Sequence, residues 1–345
     1  MIVSTKFGPT RLSGKDADAF RWQLREGGDR PARAALARGV QLAAGFAADG
    51  RVVLPASPAW TEHRSAEDAS VNWTRPTPDG GMLECRYVRR RPEYFIAYVS
   101  AHSGCRHACR FCHLTQTGQT TFRETPLTEL EEQLSKVFDH YDRLDRPARR
   151  VNINFMTRGE PLSSRVLLDG FGAFATIARR MAEARGLEHR INLSTIFPQD
   201  AAGVDLAGAF GEAPVRIYWS LYSLDRGFRK RWLPRAQDPQ RVMAKLLEWQ
   251  ARAHGEVVLH WALIDGENDA DRDLSAIAEF VRENGLRAKL NLVRYNPHSP
   301  KTGREALEAR YEAALRIVGA AMSEPGSKVV SRVGFDVKAS CGMFM

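Results

Sequence analysis

The chain has 345 residues, 43% of them apolar, and its 50 lysines and arginines outnumber 41 acidic residues to give a formal net charge of +9. That length accommodates one large α/β domain with a smaller appendage. No apolar run approaches the roughly 18 residues of a membrane span, the first residues lack the apolar core of a secretory signal, and no helix carries a sustained coiled-coil pattern, so a cytoplasmic, membrane-free monomer is expected.

Residues 1–62 are rich in alanine and arginine and read as a small basic helical region, with helices around 14–26 and 31–47. Residues 63–92 read as a β-hairpin linker, its strands at 70–76 and 82–89 joined by the turn sequence Pro76-Thr-Pro-Asp-Gly-Gly81. Residues 93–345 alternate strand-like apolar runs with helical spacing. The runs are Tyr94–Ser100, Val151–Met156, Ile191–Thr195, Val215–Tyr222, Val257–Ile264 and Ala288–Tyr295. Leu127, Leu130, Leu134, Val137, Tyr141 and Leu144 form one helical stripe, opened by Thr125-Pro126. Leu274, Ile277 and Val281 form another, closed by Asn284-Gly285. Such alternation implies an α/β fold with a parallel sheet and right-handed crossovers: a partial (β/α)6, TIM-like barrel, or else an open doubly wound sheet. Either architecture gathers its ligands at the carboxyl ends of the strands.

Just past the first of these strands stands Ser103-Gly-Cys105-Arg-His-Ala-Cys109-Arg-Phe-Cys112. Three thiolates suit a [4Fe-4S] cluster and leave one iron open to chelate the amino and carboxylate groups of S-adenosylmethionine (SAM). The competing reading is a zinc site with His102, His107 or His113 as fourth ligand. Five cysteines in all, three of them clustered, do not make a disulfide framework. Arginine clusters at Arg86, Arg89, Arg90 and Arg91, at Arg146, Arg149 and Arg150, and at Arg226, Arg229, Lys230 and Arg235 fit either a polyanionic partner or a solvated arginine-rich surface.

Further motifs give the chain a family resemblance. Thr115-Gln116-Thr-Gly118 follows the third cysteine. Gly159-Glu160-Pro161-Leu162 follows the second strand, Leu193-Ser194-Thr195 ends the third, Ser220-Leu221 ends the fourth, and Tyr295-Asn296-Pro297 follows the sixth. In this order, and over most of residues 70–345, the chain resembles the RlmN/Cfr group of radical SAM RNA methyltransferases. The resemblance implies a radical SAM barrel in which Cys105, Cys109 and Cys112 hold the cluster. It implies SAM contacts at Gly159, Glu160, Ser194, Ser220, Leu221 and Asn296, with Tyr222 standing where the family has histidine.

It also implies catalytic roles. Gly334-Phe-Asp336-Val-Lys-Ala-Ser-Cys341-Gly342 is similar to the segment whose cysteine accepts a methyl group from one SAM before radical transfer to an adenine ring. Leu83-Glu84-Cys85-Arg86 is similar to the hairpin bearing the family's proton-accepting glutamate, which points to Glu84. An RNA substrate and a reducing donor such as flavodoxin or ferredoxin follow as expectations. The family's second catalytic cysteine, seven residues before the first cluster cysteine, is replaced by Tyr98, and Cys85 is the one remaining cysteine available to substitute for it. With Arg158 preceding the GEP element and a short N-terminal region, these departures also fit a divergent radical SAM enzyme acting on a non-RNA substrate without standard methyl transfer.

Overall fold

A computed structural model describes residues 58–345 and, before them, four short strands: β1 (Ile2–Thr5), β2 (Gly8–Arg11), β3 (Gly45–Phe46) and β4 (Val52–Val53). The chain divides into two units, Met1–Ala59 and Trp60–Met345. In the first, β1 pairs antiparallel with β2, and β3 with β4. The helices expected at 14–26 and 31–47 lie outside the described residues, except that Gly45–Phe46 is strand rather than helix.

The second unit is built on one ten-stranded sheet. Its antiparallel edge comprises β5 (Thr61–Arg64), β6 (Val71–Pro76) and β7 (Met82–Arg91), leading into β8 (Tyr94–Tyr98). From β8 onward every pairing is parallel and sequential, through β9 (Arg150–Phe155), β10 (Glu188–Thr195), β11 (Val215–Trp219), β12 (Glu256–Ala262), β13 (Ala288–Val293) and β14 (Lys328–Val330). The hairpin and the six expected strands are present. β5 and β14 escaped the sequence reading because neither carries an apolar run.

Helices fill the crossovers. After β8 come α1 (His113–Gln116) and α2 (Leu127–Asp142), and after β9 come α3 (Arg165–Asp169) and α4 (Phe171–Glu183). Then α5 (Leu206–Phe210) precedes β11, α6 (Arg226–Trp232) and α7 (Pro239–Ala253) precede β12, α8 (Asp271–Asn284) precedes β13, and α9 (Glu308–Ile317) precedes β14. Gly285 ends α8 in the left-handed conformation, φ 68, as the Asn-Gly pair predicts. Among the described residues no helix is long and apolar enough to cross a membrane.

Alternation along the strands separates two faces. Phe95, Ile153, Leu193, Ile217, Leu259 and Leu290 pack fully buried in the core beneath the helices, each such side chain contributing about 1.5–3 kcal/mol by leaving water. The intervening positions, including Tyr98, Asn154, Ser194, Ser220 and His260, face inward and line a cavity. At the open flank Arg90 Nε donates to the carbonyl of Ser331 at 3.2 Å, bringing the end of β7 against the end of β14. The sheet thus curls into the partial barrel expected from the strand–helix alternation.

Candidate active site

The cysteine loop fills the turn between β8 and α1. The Cys105 N–H donates to the Gln119 carbonyl at 3.1 Å, and the Cys112 N–H donates to the Cys109 carbonyl at 3.0 Å. Ala108 turns through a left-handed conformation, φ 57, and the Arg110 N–H anchors the loop to the Trp232 carbonyl at 3.0 Å. Burial pushes all three thiols up, Cys112 to about 11, and neighbouring cysteines push Cys105 and Cys109 further the same way. Such thiols ionise only against a strong local positive charge, as bound iron provides. Among the described residues no three His, Cys, Asp or Glu side chains close on a single ion. A four-iron cube takes one thiolate per iron, so its three sulfurs have to stand apart around it. Cys105, Cys109 and Cys112, three separate thiols lining one cavity, fit that requirement.

The cavity holds about 440 Å³ and is lined by Cys105, Cys109, Cys112, Gly159, Glu160, Ser194, Ser220, Tyr222 and Cys341. Gly159 is required twice over: its φ is +92, and a Cβ there would stand 2.4 Å from His102 Nδ1. Glu160 caps the 3-10 turn Pro161–Ser163, accepting from Leu162 N and Ile196 N, each at 3.2 Å. Burial outweighs those hydrogen bonds and raises its carboxyl to about 7. β11 stops at Trp219 rather than Tyr222, so Ser220 and Tyr222 project from the strand end. Tyr222 turns through φ 60 and stacks on Phe111 of the cysteine loop at 4.4 Å.

Two expected SAM contacts lie off the wall. Leu221 is fully buried, and its carbonyl accepts from Arg229 at 3.0 Å. Asn296 Nδ2 donates to the Cys341 carbonyl at 2.8 Å and to Ser340 Oγ at 3.3 Å. Asn296 Oδ1 is buried and unpartnered among the described residues.

The segment carrying Cys341 is tied in place from several sides. His113 N–H donates to the Gly342 carbonyl at 3.0 Å. Arg86 donates to the Met343 carbonyl at 2.6 Å, and Arg158 donates to Met345 O. Both guanidiniums lie over the Phe344 ring, 5.1 and 5.8 Å from its centroid. Glu84 stands between these arginines, each of its carboxylate oxygens 2.9 Å from one of them, and also accepts from Asn72 at 2.7 Å. Glu84 is fully buried and is absent from the cavity wall, so the proton acceptor suggested by resemblance is a carboxylate already committed to two cations. Cys341 itself is open to the cavity. Its enclosed surroundings raise the thiol to about 11, while Arg86 and Arg90 pull it down.

The sequence reading treated Arg158 as a departure and missed its role as the partner of Glu84. Position parity along β7 is the signal that would have found half of this arrangement: Glu84 and Arg86 share one face and Cys85 takes the other. Cys85 is accordingly fully buried in the core with Trp73 and Tyr87, away from the cavity wall, where burial pushes its thiol up. Its possible service as a substitute second thiol is therefore corrected: the side chain points to the wrong face. Tyr98 occupies the cavity wall beside Arg90.

Sequential parallel strands, a cysteine loop at the first strand's carboxyl end and a cavity over the following strand ends make up this α/β fold. A solved structure of a radical SAM methyltransferase from Sphaerobacter thermophilus shares this fold, with a TM-score of 0.65, 22% identity, and coverage of 94% of this chain and 90% of that one. No protein-family model matches the chain. Among curated proteins, the dual-specificity RNA methyltransferase RlmN of Syntrophobacter fumaroxidans is 27% identical over 321 residues, covering 89% of this chain and 83% of its own. The protein of the same name from Wolinella succinogenes is 26% identical over 296 residues, covering 80% of this chain and 77% of its own. Along most of its length the chain is similar to these RlmN RNA methyltransferases.

Proposed function

We propose that the protein is a radical SAM methyltransferase that acts on adenine in RNA through a methylated Cys341. One observation carries this reading: Cys341 opens into the same cavity as Cys105, Cys109, Cys112, Gly159, Glu160, Ser194 and Ser220. The RNA substrate rests on the RlmN relatives and on the arginines of the cavity wall, Arg86, Arg89, Arg90 and Arg91.

In this reading Cys105, Cys109 and Cys112 hold a [4Fe-4S] cluster, which with bound SAM and an electron from a flavodoxin- or ferredoxin-type donor supplies the one-electron cleavage chemistry. Glu160 accepts from the amino group of SAM, Ser194, Ser220 and Tyr222 line its seat, and the backbone at Gly159 lets it approach closely. Arg86 and Arg90 favour the thiolate of Cys341. That thiolate takes a methyl group as its S–C bond forms and the sulfonium–methyl bond of SAM breaks, leaving S-adenosylhomocysteine. Glu84 and Asn296 act at one remove, Glu84 through Arg86 and Arg158 and Asn296 through the Cys341 carbonyl. With Tyr98 in the wall and Cys85 in the core, release of a Cys341-linked product falls to a thiol from outside the cavity.

Nucleoside analysis of RNA from cells expressing the gene tests the proposal. A methylated adenosine is expected, and a Cys341→Ala variant should abolish it. RNA nucleosides unchanged by the active, cluster-loaded protein would overturn the proposal in favour of a non-RNA substrate on the same scaffold.

A further inference from the structure

The cavity continues to the barrel's other end, where the parallel strands begin and where Arg90, Arg91 and Lys328 still line it; the inference that follows rests in part on the proposed function, and this end carries an unusual set of inward positions. Arg150 begins β9, Arg190 lies early in β10, Arg216 in β11 and Lys289 in β13, and Lys328 begins β14. Each shares strand parity with residues that line the cavity further up. Arg90 and Arg91 reach the same edge from β7, where Arg91 stands opposite Tyr94 at the start of β8. β12 contributes the carboxylate Glu256, which Arg216 Nε engages at 2.7 Å, and Glu188 lies near Arg190. Among the described residues Arg150, Arg190, Lys289 and Lys328 take part in no ion pair, and Arg150 Nε is buried without a partner.

These cations feel one another. Burial and the guanidiniums of Arg216 and Arg190 hold the Lys289 ammonium below its usual range. Lys328 is lowered by burial, Arg91, Arg90 and Arg216, and Arg190 by burial, Arg216 and Arg150. The influences run from one strand to the next and define a ring rather than scattered surface charges. Barrel interiors are ordinarily filled with packed side chains, and conservation of fold would favour apolar residues here. Like charges brought together and partly desolvated oppose folding, so stability does not account for the ring.

We propose that this N-terminal mouth of the barrel binds a multivalent phosphate anion. Guanidinium forks match phosphate oxygens in pairs, and the lysines supply compact charge beside them. Two sources share that chemistry: a free polyphosphate, or consecutive phosphates of a nucleic-acid chain.

The test uses the full-length protein and an amine-acylating reagent at mildly alkaline pH, with labelling at each lysine read by peptide mass spectrometry. Tripolyphosphate is the first probe and a short single-stranded RNA the second. Selective slowing at Lys289 and Lys328, relative to Lys301, which does not line the cavity, is expected with tripolyphosphate, and added salt should weaken it. Slowing by the RNA as well would assign the site to nucleic-acid phosphates, and slowing by tripolyphosphate alone to a free polyphosphate. An Arg190→Gln, Lys289→Gln variant should lose the rise in Tm that tripolyphosphate gives the wild type. Equal labelling of Lys289, Lys328 and Lys301 with and without both probes would overturn the proposal, and that arm needs no variant to fold.

Discussion

At the scale of single residues, the site joins groups that bind with groups that hold the binding groups in place. Glu84, Arg86 and Arg158 belong to the second kind, because they fix the segment bearing Cys341; only Arg86 of the three also lines the cavity. Removing one partner from a buried pair costs about 3–5 kcal/mol. Arg158→Met should therefore lower stability by about that much, and it should speed hydrogen exchange across residues 337–345 and alkylation of Cys341. Unchanged exchange in that segment would show that the tail is held by other contacts. Gly159→Ala should fail differently. Its backbone strain of about 1–3 kcal/mol comes with a Cβ driven into His102, so SAM affinity should fall while the barrel stays folded.

Glu160 sets a pH dependence. Its carboxyl is raised to about 7 from 4.5, so in the free protein it is protonated below that pH and cannot accept from the amino group of SAM. SAM affinity should weaken as pH falls below about 7, by up to about tenfold per unit, and level off above it. The same shift makes the fold lose stability as pH rises from 4.5 to 7, since the unfolded chain ionises first. Glu160→Gln should flatten the affinity profile, measured by equilibrium binding.

At the scale of elements, the strands and hairpin were legible in the sequence because their apolar runs face a helix layer. Leu130, Leu134 and Val137 on α2 are fully buried where the helical stripe puts them, and Leu134→Ala should cost about 2–5 kcal/mol in denaturant unfolding. The cysteine loop and the residues past the strand ends were legible as spaced motifs. The partnership of Glu84 with Arg158 was not, because it joins residues 74 positions apart and depends on how β7 and β9 curl toward each other. β14 was hidden for a related reason: Lys-Val-Val reads as a strand only once β13 offers it an edge. The inward cations escaped notice because sequence groups Arg149 with Arg150, whereas the fold groups Arg150 with Arg190 and Arg216.

At the scale of the whole molecule, the partial barrel is polarised. Cysteines, Glu160 and Cys341, with Arg86 and Arg158 beside them, occupy the end where the parallel strands finish, and Arg150, Arg190, Arg216, Lys289 and Lys328 occupy the end where they start. Strand direction sets those two ends, and the bond from His113 N–H to the Gly342 carbonyl, at 3.0 Å, holds the segment with the Cys341 thiol beside the cysteine loop. The central claim is that methyl transfer passes through this thiol. Mass spectrometry of the C-terminal peptide containing Cys341, from protein expressed with ample iron–sulfur supply, tests it most directly. A methyl group or an attached nucleotide on Cys341 is the expected result. An unmodified Cys341, in protein that carries its cluster and cleaves SAM, would contradict the claim.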